Sequence, residues 1–100
     1  MFSLYLHIKI IKMQFENLKI KDVQVEIAAW TKSLRKNQNL SQEELAQSLN
    51  VSRITIQNLE SCKNVTLETL LKVLFYFDKL QDFNDFIISE TKNNSVKSLY

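Results

Sequence analysis

The stretch Ser41–Ser61, SQEELAQSLNVSRITIQNLES, decides how the rest of this chain folds. It holds two short helix signals joined by a turn of about four residues, a spacing typical of two helices crossing at a steep angle. Its start signals recur downstream. Leu40-Ser41 is followed by Leu45, Val51-Ser52 by Ile56, and Val65-Thr66 by Leu70. Each combines an apolar residue, a hydroxyl N-cap and an apolar N4 residue that closes a hydrophobic staple. Glu44, three residues after Ser41, completes a capping box. Three matched caps predict helix boundaries more firmly than propensity does.

Working outward, the chain of 100 residues is 45% hydrophobic, enough for one domain around one core. It contains no Gly and no Pro, so hairpin turns lack their usual residues while helices lose nothing. An all-α fold follows, with turns built from Asn, Asp and Ser. The single cysteine, Cys62, has no partner for a disulfide within the chain, and no apolar run has the length of a membrane span. These features predict a cytoplasmic protein without a membrane association. Residues 1–64 carry nine Lys/Arg against six Asp/Glu, and residues 65–100 four against five, a charge asymmetry too weak to identify a partner.

Upstream, residues 2–10 alternate apolar and other residues with the period of a half-buried strand, the one strand-like signal in the protein. Such a strand would pair with a copy of itself, dock on a helix or stay mobile. Met13 is an alternative natural start, leaving the first twelve residues outside the native protein. The predicted organisation is an arm over residues 1–18, strand-like or disordered, a five-helix domain over 19–89, and a polar tail over 90–100.

Helix 1 is expected from Ile20 to Lys36, where Ile20, Val23, Ile27, Trp30 and Leu34 form one apolar stripe. Trp30 falls on that stripe and reads as a core anchor. Helix 2, from Gln42 to about Leu49, buries Leu45, Ala46 and Leu49, with Asn50 placed as a left-handed cap. Helix 3, Arg53 to Ser61, turns Ile56 and Leu59 inward. Its outward face carries Arg53, Ile54, Thr55, Gln57, Asn58 and Ser61, where a plain solvated helix would show more Lys and Glu. Arg, Gln, Asn and Thr match base-pair edges, and an isoleucine can meet a thymine methyl.

Helix 4 runs from Leu67 to about Phe77 and ends in three consecutive aromatics, which cannot all face one core. A short helix 5, about Leu80 to Ser89, adds Phe83, Phe86, Ile87 and Ile88. A homodimer interface through Phe77, Phe83, Phe86 and Ile87 is the expected use of this apolar excess, the alternative being a lid folded back on the core. One His, one Cys and no clustered carboxylates leave no catalytic constellation, metal site or cofactor site, so an enzyme is not expected.

The segment Leu34-Arg35 … Leu40-Ser41-Gln42-Glu43-Glu44-Leu45-Ala46 … Val51-Ser52 … Ile56-Gln57-Asn58-Leu59-Glu60 … Leu70 … Leu74 resembles the Cro/repressor type of helix-turn-helix, the XRE family, over roughly residues 20–78. The resemblance implies five α-helices and a dimer that represses transcription by binding double-stranded DNA in the major groove. It also implies residue roles. Arg53, Ile54, Thr55 and Asn58 face base edges, with Gln57 beside them. Gln42 contacts a phosphate and buttresses helix 3; Ser61, Lys63 and Asn64 flank phosphates; Arg35 and Glu60 form a structural ion pair. Two departures stand out: Asn50 and Cys62 occupy positions where the family usually has glycine. Helices 4 and 5 look like those of small HipB-like regulators, which implies, as an alternative, an antitoxin with a toxin protein as partner. A protein-interaction module on the same scaffold is a further alternative.

Overall fold

The computed structural model describes residues 4, 6–8 and 17–99, with side chains through residue 95. Its elements are α1 (Ile20–Asn37), α2 (Gln42–Leu49), α3 (Arg53–Glu60), α4 (Leu67–Tyr76) and α5 (Leu80–Leu99). No strand occurs among the described residues. Leu4 and residues 6–8, from the stretch expected as strand-like or disordered, are helical; Phe2 and Ile10 lie outside the described residues. A lone strand would leave its backbone groups without a ladder, whereas a helix pairs them within the segment.

The helix starts follow the hydroxyl caps. Ser41, Ser52 and Thr66 each accept a hydrogen bond from the backbone N–H three residues on, at Glu44, Thr55 and Thr69. The capping box closes with the Ser41 N–H donating to Glu44 Oε1 at 2.9 Å. The helix ends share one device as well. Asn39, Asn50, Cys62 and Asp78 have φ between 56° and 63°, one left-handed residue in each interhelical turn. The N–H of each following residue bonds back five positions, Leu40 to Arg35, Val51 to Ala46, Lys63 to Asn58 and Lys79 to Leu74. These are Schellman closures made without glycine, three of them on Asn or Asp, which tolerate the left-handed region best.

The core cluster is Leu45, Ala46, Ile56, Leu59, Val73 and Phe77, with Ile27, Leu34, Leu40, Leu49, Val51, Val65 and Tyr76 packed against it. Helix α3 packs on both α1 and α2, which makes it the best-held element of the fold. Leu40, Val51 and Val65, the residues before the three caps, all contribute to this packing.

Three expectations are corrected. The buried residues of α1 are Ala28, Thr31 and Arg35, whereas Ile20 and Val23 are exposed and Trp30 keeps 40% of its surface, so Trp30 is no core anchor. At about 100° per residue, the buried face lies roughly 90° round the helix from the expected stripe. Among the three aromatics, Phe77 is the core residue, packed edge-on against Tyr76 at 5.0 Å between ring centroids, and Phe75 is the exposed one. Phe77 is therefore unavailable to an interface between copies. Helix α5 does not end near Ser89 but continues to Leu99, through the segment expected as a polar tail.

Candidate nucleic-acid interface

A single carboxylate organises this region. Arg35 on α1 donates from Nε to Glu60 Oε2 at 2.7 Å and from Nη2 to Glu60 Oε1 at 2.9 Å. Its remaining arm, Nη1, donates to the Leu40 carbonyl at 2.6 Å. Gln42, in the first turn of α2, adds an Nε2 donation to Glu60 Oε1 at 3.1 Å. The guanidinium–carboxylate pair is held with side-chain exposures of 10% and 4%. Its two parallel bonds constrain direction as well as distance. The hydrogen bond to Glu60, reinforced by the carboxylate's charge and opposed by burial, raises the Arg35 pKa. Glu60, the last residue of α3, thereby ties that helix to α1 and to the start of α2.

Burial of Ile56 and Leu59 on one side leaves the opposite side of α3 facing solvent. Arg53, Ile54 and Gln57 are exposed, and Asn58 is half-buried. Thr55 is also half-buried, and its hydroxyl lies 2.9 Å from that of the cap residue Ser52. It is already engaged in closing the helix start. Ser61 is exposed, and its hydroxyl donates to the Gln57 carbonyl at 2.7 Å. Lys63 and Asn64 follow on the exposed loop.

Gln42 serves the brace through one N–H of its amide, which carries two donors. At the start of α2, the capping box engages the backbone N–H groups of Ser41 and Glu44. The same contacts, first the Ser41 backbone N–H and then its hydroxyl, hold the Glu44 carboxyl below its usual value.

Cys62 adopts φ 63°, the left-handed conformation for which glycine is the usual residue. Its carbonyl accepts a hydrogen bond from Lys21 Nζ at 3.1 Å. This contact brings a third cation beside α3, with Arg53 at the start of the helix and Lys63 beyond its end. Sequence reading missed Lys21, because the contact joins residues 41 positions apart.

The apolar surface expected to serve an interface lies elsewhere, along α4 and α5. Phe83 is half-buried, whereas Phe86 and Ile87 are exposed at 61% and 45%. Phe75, exposed at 72%, joins Leu67, Leu71, Leu80, Phe83 and Ile87 along a groove of about 590 Å³ between the two helices. Among the described residues, no group of three His, Cys, Asp or Glu could hold a metal ion, and no helix is long and apolar enough to cross a membrane.

Comparison with known families places a helix-turn-helix match on residues 32–79, the span from the second half of α1 to the start of α5. No curated protein and no solved structure matches the chain. Two short capped helices, the second braced by the first and by α1, coincide with the centre of that match. The match over residues 32–79 is to the Cro/C1-type helix-turn-helix family, the XRE family of DNA-binding domains.

Proposed function

We propose that the protein is a sequence-specific transcriptional repressor that acts as a homodimer and inserts α3 into the major groove of its operator. The observation that carries this reading is the Glu60 brace, which fixes the end of α3 to α1 and α2, while Arg53, Ile54, Gln57 and Asn58 lie away from buried Ile56 and Leu59. Rigid support of that kind suits a helix that must match base edges to within a fraction of an ångström. Arg53, Ile54, Thr55, Gln57 and Asn58 are the proposed base-reading set, with Thr55 contributing its methyl because its hydroxyl serves the cap. Gln42, Ser61, Lys63 and Asn64 are the proposed phosphate contacts, and Lys21 joins them.

Dimerisation through α4 and α5 is supported by the exposed Phe86 and Ile87 and by the groove beside Phe75 and Phe83. Two copies would then present their α3 helices to half-sites about 34–36 Å apart. Sedimentation of the full chain and of Phe86→Asp tests this; a monomer at micromolar concentration in the unsubstituted protein overturns it.

DNA binding itself is tested by titrating labelled duplex at several salt concentrations. Affinity should fall steeply, with log K declining by about 0.9 per log unit of salt for each phosphate neutralised. Weak binding with a flat salt response would reject the reading. The same groove favours, as a second reading, an antitoxin whose α4–α5 surface holds a toxin protein. A toxin-like product of the adjacent gene that co-elutes with the chain would support it. Action on DNA and a lone thiol fit a cytoplasmic location.

A further inference from the structure

The outward face of α3 has a single most protruding position, and an isoleucine occupies it. Buried Ile56 and Leu59 set the inward direction of α3. At about 100° per residue, Ile54 lies within about 10° of the opposite pole, Gln57 and Asn58 stand about 50° to either side, and Arg53 and Thr55 sit about 90–110° away on the flanks. Ile54 is 62% accessible and Gln57 beside it is exposed, whereas Asn58 and Thr55 are half-buried; Arg53, at the start of the helix, is exposed. The hydroxyls of Thr55 and Ser61 are engaged with Ser52 and with the Gln57 carbonyl.

Resting on the proposed DNA-binding role, we infer that Ile54 is the central specificity determinant of this protein and reads the 5-methyl group of a thymine in each half-site. The pole of a helix lying in the major groove reaches deepest toward the base edges. Those edges are polar except at one group, the thymine methyl. An isoleucine there can make no hydrogen bond, so a purine edge or a cytosine amino group beneath it would lose water without gaining a partner. Against a methyl, both apolar surfaces leave water together. Gln57 and Asn58, on either side, have amides suited to an adjacent adenine.

Selection of bound duplexes from a random pool by the full chain, followed by replacement of each consensus thymine with deoxyuridine, tests this without changing any base pair. One position per half-site should lose affinity roughly fourfold on removal of its methyl, the factor expected for about 0.8 kcal/mol per buried carbon. Ile54→Ala should bind thymine and uracil duplexes equally at that position while retaining helical content by circular dichroism. If a consensus emerges but no thymine is sensitive to its methyl, or Ile54→Ala keeps the sensitivity, the assignment of Ile54 is overturned while DNA binding stands. If no sequence is enriched at all, the DNA-binding proposal fails and this inference fails with it.

Discussion

Arg35 and Glu60, 25 residues apart, meet through two parallel hydrogen bonds of 2.7 and 2.9 Å, and the same carboxylate receives Gln42. Three helices therefore depend on one acid. Removing either partner of such a pair strands the other charge in a site that is nearly closed to water. Arg35→Ala or Glu60→Ala should lower the unfolding free energy by about 3–5 kcal/mol, measured by urea denaturation. The double variant should lose less than the sum of the two, because the penalty of the orphaned charge is then absent.

Cys62 makes the opposite prediction. At φ 63° its Cβ crowds the backbone, a cost of about 1–2 kcal/mol that glycine does not bear. Cys62→Gly should raise the melting temperature, offset in part by the greater freedom of glycine in the unfolded chain. A lower melting temperature would mean that the thiol's packing outweighs the strain.

The capping box gives a pH dependence with a definite sign. The Glu44 carboxyl is held below its ordinary value by the Ser41 N–H and hydroxyl. A carboxyl depressed in the folded state contributes fully above its unfolded pKa, and the contribution fades as pH falls through the lower folded value. Between pH 6 and pH 3 the native protein should lose more stability than Glu44→Gln, which lacks the titrating group. Equal losses in thermal scans at the two pH values would contradict this.

For DNA, the two kinds of contact should separate experimentally. Asn58→Ala or Arg53→Ala should cost about 1–3 kcal/mol on the selected operator and relax preference at one position. Lys63→Ala should weaken all duplexes alike and reduce the salt slope by about one unit. Unchanged operator binding by both Arg53→Ala and Asn58→Ala would remove α3 as the reading element.

Much of the helical frame was legible because the signals that define it are local. A hydroxyl cap acts within three residues, and a left-handed closure within five, so Ser41, Ser52, Thr66 and Asn50 could be read without knowing what the helices pack against. The Arg35–Glu60 pair was legible only through family resemblance, since no local pattern joins α1 to α3. Lys21 and Phe75 were not legible at all. Lys21 is defined by a contact with the Cys62 carbonyl, 41 positions along the chain, and Phe75 is one of three adjacent aromatics with equal claims on the core.

By itself, then, the sequence determined an all-helical domain, the starts of α2, α3 and α4, and Asn50 as a left-handed cap in place of glycine. The tertiary structure decided which faces those helices bury. On α1 the Arg35–Glu60 bond and the packing of Ala28 and Thr31 rotate the helix so that only Ile27 and Leu34 of its most apolar stripe reach the core, leaving Val23 and Trp30 in contact with water. On α4 the core accepts Phe77 and excludes Phe75. On α3 it sets Ile54 at the outermost point, because burial of Ile56 and Leu59 fixes the opposite pole. A periodic pattern defines candidate faces; the positions of the neighbouring helices select one of them.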